Sequence, residues 1–92
     1  MSQREIIFTG QFRRDYVKFV EGTDAEPLFE IVLTQLAGGR PLEAKWLDHP
    51  LKGNWKGCRD CHVRNDLVFI YEIGPRRLIC RRIGSHAELF CR

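Results

Sequence analysis

Three histidines, His49, His62 and His86, lie in the second half of the 92-residue chain, each in a different stretch. Asp60, Asp66 and Arg82 accompany them. A single histidine in a small protein is usually structural. Three of them, with carboxylates and an arginine in a basic surround, point to acid–base chemistry on phosphate. Cutting an RNA backbone needs a base for the 2′-hydroxyl proton, an acid for the departing 5′-oxygen, and a cation beside the phosphate. Histidine and aspartate suit the first two tasks, and the planar fork of arginine suits the third.

The same region raises a rival reading. "WKGCRDCHVRND", residues 55–66, contains Cys58, Cys61 and His62 in the C-x-x-C-H spacing of c-type haem attachment. On a regular strand, residues 58 and 61 face opposite ways and cannot share one haem edge or one metal. Zinc would need Cys58, Cys61, Cys80 and Cys91 together. The second pair is widely spaced, and the first sits on a strand rather than a knuckle turn. The residues favour Cys61 as a small core side chain and the other cysteines as incidental thiols. No metal and no cofactor is expected.

Charge separates along the chain. Residues 1–39 carry a net −2 and residues 40–92 a net +5, within an overall +3. A basic, histidine-bearing half favours an anionic partner, most commonly nucleic acid. Lys45, Lys52, Lys56 and Arg59 are candidate phosphate contacts. Trp46 and Trp55 are candidates for stacking on bases, or for covering the core edge. No apolar run approaches a membrane span. The start lacks the pattern of a secretion signal, so the chain is expected to be cytoplasmic, with reduced thiols.

One domain of this length needs elements that bring residues 49, 62 and 86 together. "REIIFT" reads as an opening strand. Thr9 caps a first helix with Phe12, Tyr16, Phe19 and Val20 on one face, ended by Gly22. Thr23 and Glu26 fit a capping box for a second helix, whose stripe is Leu28, Ile31, Val32 and Leu36. Gly38–Gly39 and Pro41 end it. The stretch 40–57 reads as an ordered loop with one short extended piece. Runs 57–63, 67–73 and 78–83 read as strands of an antiparallel meander. Ser85 with Glu88 caps a last helical turn. The fold class is therefore α+β: an N-terminal strand, an antiparallel helix pair, a sheet meander and a short C-terminal helical turn. Leu67, Phe69, Tyr71 and Ile73 should face the helices. Short hairpin links pair 62 with 68 and 68 with 82, which sends Asp60, His62 and Arg82 to the opposite face.

"DHPLKGNWKGCRDCHV", "DLVFIYEI" and "RRIGSHAELF" together resemble the YafQ branch of the RelE/ParE toxin superfamily, over nearly the whole chain. In that pattern position 61 holds a small residue, which makes the haem-like spacing accidental. The resemblance implies the toxin of a bacterial type II toxin–antitoxin pair, an mRNA endonuclease acting on ribosomal A-site codons. It implies inhibition by a cognate DinJ-like antitoxin in a hetero-oligomer, docked on the basic half and the helix pair, and no cofactor. On matching positions, His49, His62, Asp66 and His86 form the acid–base set. Arg82 steadies the phosphate, Phe90 packs against the substrate, and Asp60 orients a histidine. His86, at the start of a helical turn that favours a bound anion, is the candidate acid. Asp66 and His49 both remain candidates for the base. The alternative class is a noncatalytic ParE-like toxin or binding module directed at a protein target.

Overall fold

A computed structural model of the chain describes residues 3–90. Strand β1 (Glu5–Phe8) leads into helices α1 (Gly10–Phe19) and α2 (Ala25–Ala37). The loop that follows holds two single-turn 3₁₀ helices, Ala44–Trp46 and Gly53–Trp55, around a two-residue strand β2 (His49–Pro50). Strands β3 (Arg59–Arg64), β4 (Leu67–Ile73) and β5 (Arg77–Gly84) form the meander, and α3 (His86–Phe90) closes the chain. The five strands run in the order β1-β5-β4-β3-β2. All neighbours are antiparallel except β1, which lies parallel to β5.

Local chemistry explains the helix starts. Thr9 is extended, and its Oγ1 accepts the Phe12 backbone N–H at 3.0 Å, satisfying one donor of the first turn. The expected capping box at Thr23 and Glu26 is displaced. Asp24 is the N-cap residue of α2 but its side chain makes no capping bond, Thr23 Oγ1 accepts from Ala25 N, and the Glu26 carboxylate accepts from Gly22 N. Gly22, at φ 77°, supplies the left-handed turn between the helices. Ser85 Oγ accepts from Glu88 N at the start of α3, as its sequence suggests.

One face of the sheet carries the main core. Phe12 and Phe29 from the helices meet Phe69 at ring separations of 5.8 and 5.0 Å, and Phe69 meets Tyr71 at 5.1 Å. Leu67, Phe69 and Tyr71 face the helices as expected, whereas Ile73 is exposed at the hairpin end. Val68 and Ile70 face the other way, into a smaller cluster with Leu51, Trp55, Cys58, Leu89 and Phe90.

The register of β3 on β4 agrees with expectation, His62 opposite Val68. That of β4 on β5 does not: Val68 lies opposite Gly84, and Arg82 opposite Ile70. The hairpin link is one residue longer than assumed, which alone would turn β5 over. An irregularity between Cys80 and Arg82 adds a second step and restores the facing. Leu78 and Cys80 before it and Ile83 after it therefore all reach the main core.

Beyond Cys80, β5 has no strand partner on its outer side, because β1 ends opposite that residue. Helix α1 covers this edge. Asp15, 4% exposed, accepts the Ile83 backbone N–H at 3.1 Å and Gln11 Nε2 at 3.1 Å. It also takes both Nε (2.7 Å) and Nη2 (3.0 Å) of Arg82. Burial pushes the Asp15 carboxyl up, but hydrogen bonds from Arg82, Gln11 and Ile83 outweigh it, so the group sits below its ordinary value. A depressed carboxylate stabilises the fold fully above its unfolded pKa, about 3.9, and loses that contribution as pH falls through the lower folded value. Asp15→Asn should cost about 3–5 kcal/mol in urea unfolding at pH 7 by leaving Arg82 half-buried without its charge partner. That deficit should begin to shrink below about pH 4, where the unfolded-state carboxyl is protonated, and vanish only at the lower pH where the native carboxyl becomes neutral too.

Candidate active site

The face opposite the helices gathers the chemistry. His49 pairs with Asp60 across β2 and β3. Asp60, Ile70 and Arg82 form one row across β3, β4 and β5, and His62, Val68 and Gly84 form the next. Gly84 suits a close approach: a Cβ there would lie 3.1 Å from the Phe19 ring and 3.4 Å from Leu89, a tight fit. The chain can therefore pass closely under α3, which carries His86 and Phe90 back over the sheet.

Two histidine–carboxylate couples result. His86 Nδ1 lies 2.9 Å from Asp66 Oδ1, and the same oxygen accepts the His86 backbone N–H at 3.1 Å. Hydrogen bonds from the His86 ring and backbone hold the exposed Asp66 carboxyl below its usual range. An ionised carboxylate only accepts, so the proton of this contact resides on Nδ1, leaving Nε2 as the nitrogen not engaged by Asp66. In the second couple, His49 Nδ1 lies 2.9 Å from the Leu47 carbonyl oxygen, which again requires a proton on Nδ1. His49 Nε2 lies 3.2 Å from Asp60 Oδ1, close enough for an ion pair but without hydrogen-bond alignment.

Asp60 is 3% exposed, and its Oδ1 has no hydrogen-bond donor among the described residues. Burial raises its pKa, and the nearby His49, His62 and His86 rings oppose that rise. All three imidazoles therefore lie within electrostatic reach of one buried carboxylate. The His62 and His86 rings meet edge-on at 5.2 Å, and the Phe90 ring lies 6.0 Å from His86. Beside His62 a cleft of about 440 Å³ runs between the loop and the β3 edge, lined by Lys45, Trp46, Leu47, Arg64 and Asn65.

The other expected site residues divide. Lys52 and Lys56 are exposed, and Trp55 is half-buried beneath the loop. Trp46 is 5% exposed and belongs to the main core, so its ring is not free to stack on a base. Arg82 sits on the expected face, but two of its nitrogens are engaged by Asp15, leaving only part of the fork for a phosphate. Arg59 is engaged as well: Nε and Nη2 both contact Asp48. The sequence placed Tyr71 only in the core and did not single out Asp15 or Asp48. Asp48 directly precedes His49 in "DHP", which was the available signal; Asp15 carried none, since its partner lies 67 positions away.

The cysteines separate as their spacing implies. Cys61 and Cys80 are sealed in the main core, while Cys58 lies in the cluster on the other face. Burial pushes the Cys80 thiol up to about 12 and raises Cys61 further. Cys91 lies outside the described residues. Among the described residues, no three His, Cys, Asp or Glu side chains converge as a metal-ligand set. No helix of the described chain is long and apolar enough to cross a membrane.

Opposed histidine–carboxylate couples on an α+β scaffold with a basic surround define a protein equipped for acid–base chemistry at an anionic substrate. Residues 4–91 match the family described as bacterial toxin of type II toxin–antitoxin system, YafQ, and the chain belongs to that family. It is 39% identical over 92 residues to the mRNA interferase toxin YafQ of Escherichia coli strain K12, covering 98% of this chain and 99% of that protein. The E. coli DinJ–YafQ complex contains a chain that superposes with a TM-score of 0.82 at 38% identity, covering 96% of this chain and 99% of that one. A metal-bound toxin from Helicobacter pylori superposes at 0.84 with 39% identity, covering 95% and 99%.

The two carboxylates should titrate on opposite sides of an ordinary aspartate. In a carboxyl-carbon NMR titration, Asp66 should fall below that value and Asp60 above it. Removing an opposing imidazole, as in His49→Ala, should raise Asp60 further. An Asp60 that titrated at or below the ordinary position would contradict its burial.

Proposed function

We propose that this chain is an mRNA interferase, the toxin of a type II toxin–antitoxin pair, cutting messenger RNA on the ribosome. The observation that carries the reading is geometric: His49 Nε2 lies 3.2 Å from buried Asp60, and the His62 and His86 rings, from β3 and α3, meet at 5.2 Å. Membership of the YafQ family and likeness to the E. coli mRNA interferase supply the substrate class. The likeness to the DinJ–YafQ complex supplies the partner, a DinJ-like antitoxin in a hetero-oligomer. The cytoplasm, where ribosomes and messenger reside, is the proposed location.

Roles follow from what each group already holds. Asp66 accepts two hydrogen bonds from His86, so it serves that ring rather than acting as the base. Its carboxylate stabilises an imidazolium at His86, which delivers a proton from Nε2 to the departing 5′-oxygen. His49 is then the base. Its Nδ1–H is held by the Leu47 carbonyl, so Nε2 receives the 2′-hydroxyl proton. The Asp60 carboxylate, 3.2 Å away, stabilises the cation so formed. His62 buttresses the His86 ring edge-on, and Phe90 bounds the site beyond it. The remaining donors of Arg82 face the charge that builds on the phosphate. Lys52 and Lys56 add sequence-independent attraction for the RNA backbone, with Trp55 beneath them. The 2′-oxygen attacks phosphorus as the bond to the 5′-oxygen breaks, leaving a 2′,3′-cyclic phosphate and a 5′-hydroxyl.

His86→Ala should reduce cleavage of ribosome-bound messenger about 10²- to 10⁴-fold, the usual contribution of a general acid. It should abolish growth arrest at equal expression while leaving thermal unfolding and antitoxin binding unchanged. A messenger carrying 2′-deoxyribose at the scissile position should resist the wild-type protein. Undiminished cutting of that messenger would exclude 2′-hydroxyl attack.

A further inference from the structure

We infer that Asp48, gripped by Arg59 and Tyr71, is a positioning residue that sets the orientation of His49, and that Arg59 acts in this clamp rather than as a phosphate contact. The inference rests on the proposed reading of His49, but the clamp itself stands on geometry. Strand β2 contributes only His49 and Pro50, and proline has no N–H to give to a ladder. A two-residue edge strand is too short to hold a side chain in one place by backbone pairing alone. The chain also enters it through Leu47, whose φ of 55° and ψ of 41° place a branched, exposed side chain in the left-handed region. Such a conformation persists only where its surroundings over-determine it.

Asp48 supplies that determination. Arg59 Nε lies 3.1 and 3.3 Å from its two oxygens, and Arg59 Nη2 lies 3.0 Å from Oδ2. The Tyr71 hydroxyl donates to Oδ1. Arg59 and Tyr71 are direct cross-strand partners on β3 and β4, so both grips come from one rigid point of the sheet. Tyr71 is fully buried in the main core. Burial, with the bond to Asp48 adding to it, pushes its phenol up, which keeps it a donor at neutral pH.

The alternation of a strand converts this grip into an aim. Asp48 is anchored toward the face of Tyr71, so the next residue, His49, must turn to the opposite face. There it meets Asp60, its cross-strand partner and the residue after Arg59. The backbone turn at Leu47 then brings its carbonyl to His49 Nδ1, fixing the tautomer. Arg59 and Tyr71 thus act on the chemistry through Asp48 and the Leu47 turn, without touching substrate. The fork of Arg59 is filled by a carboxylate, and that is what a lysine cannot reproduce.

The test uses the full chain with Arg59→Lys, Arg59→Ala, Tyr71→Phe and Asp48→Asn, beside Lys52→Ala as a phosphate-contact control. The first readout is the side-chain nitrogen NMR of His49, which needs no activity. Wild type should show the Nδ1-protonated tautomer, and the clamp variants should show a mixture. The second is cleavage of messenger on programmed ribosomes. Arg59→Lys and Tyr71→Phe should lower kcat by up to about 100-fold, the scale of an ångström-sized misplacement, with KM nearly unchanged. The third is the salt dependence of binding to ribosomes programmed with a 2′-O-methylated codon. Lys52→Ala should lessen that dependence, whereas Arg59→Lys should leave it alone.

An Arg59→Lys protein with wild-type kcat and an unaltered His49 tautomer would overturn the proposal. So would an Arg59→Ala protein with weaker, less salt-sensitive binding and normal kcat, which would make Arg59 a phosphate contact. If Asp48→Asn fails to fold, Tyr71→Phe, which removes a single hydroxyl, decides the matter. If the wild-type chain cuts no messenger, the proposed function fails while the tautomer measurement still decides the clamp.

Discussion

The carboxylate of Asp15 closes an edge that the sheet cannot close for itself. Strand β1 is too short to cover the last four residues of β5, and an open edge there would leave backbone donors unpaired beside the site. Asp15 takes one of those donors, the Ile83 N–H, and binds the neighbouring Arg82 through two nitrogens. Thr9 Oγ1, at the start of the same helix, donates to the Arg81 carbonyl. Helix α1 therefore replaces a missing strand with side chains. What it secures is the segment that ends in Gly84 and launches α3. The position of His86 depends on that edge, because a helix of five residues has too few internal bonds to place itself.

The irregularity near Arg81 belongs to the same constraint. Leu78, Cys80 and Ile83 must all enter the aromatic core, yet an unbroken strand would send 80 and 83 to opposite faces. One extra residue solves the conflict and leaves Arg81 and Arg82 both outside the core. Arg81 pairs with Glu72 at 2.6 Å on the solvent side, while Arg82 turns around the edge to Asp15. The bulge thus sorts two adjacent arginines into different tasks. One is a surface pair of small energetic weight, and the other is a half-buried pair that ties helix to sheet.

Much of this was legible in the chain itself. Apolar spacing gave both helices, and their caps at Thr9 and Ser85 are where hydroxyl residues precede a periodic run. Alternation in "LVFIYEI" assigned the faces of β4, and with them the side on which Asp60 and His62 emerge. The histidines were legible because residue type and motif spacing survive without coordinates. The register of β5 was not, since hairpin length and a bulge are set by which side chains the core will accept. The engagement of Arg59 and Arg82 was hidden for a related reason. Composition marks an arginine as a cation, but whether its fork is filled depends on a carboxylate that only tertiary folding delivers. Trp46 shows the same limit, because an indole in a polar loop looks available until the loop folds onto the core.

The two histidine–carboxylate couples differ in how their carboxylates are solvated. Asp66 is exposed and held ionised by the bonds it receives, so it favours a cation on the ring it grips. Asp60 is buried, with one oxygen lacking any donor among the described residues, and burial penalises its charged form. Each carboxylate faces a ring, one in solvent and the other in a dry setting where charge is more costly. Environments that push two like groups in opposite directions are how a single fold assigns an acid and a base at one pH. In the proposed reading, His86 and His49 inherit their roles from the solvation of the carboxylates behind them, since both rings are held through Nδ1 and would otherwise be chemically alike.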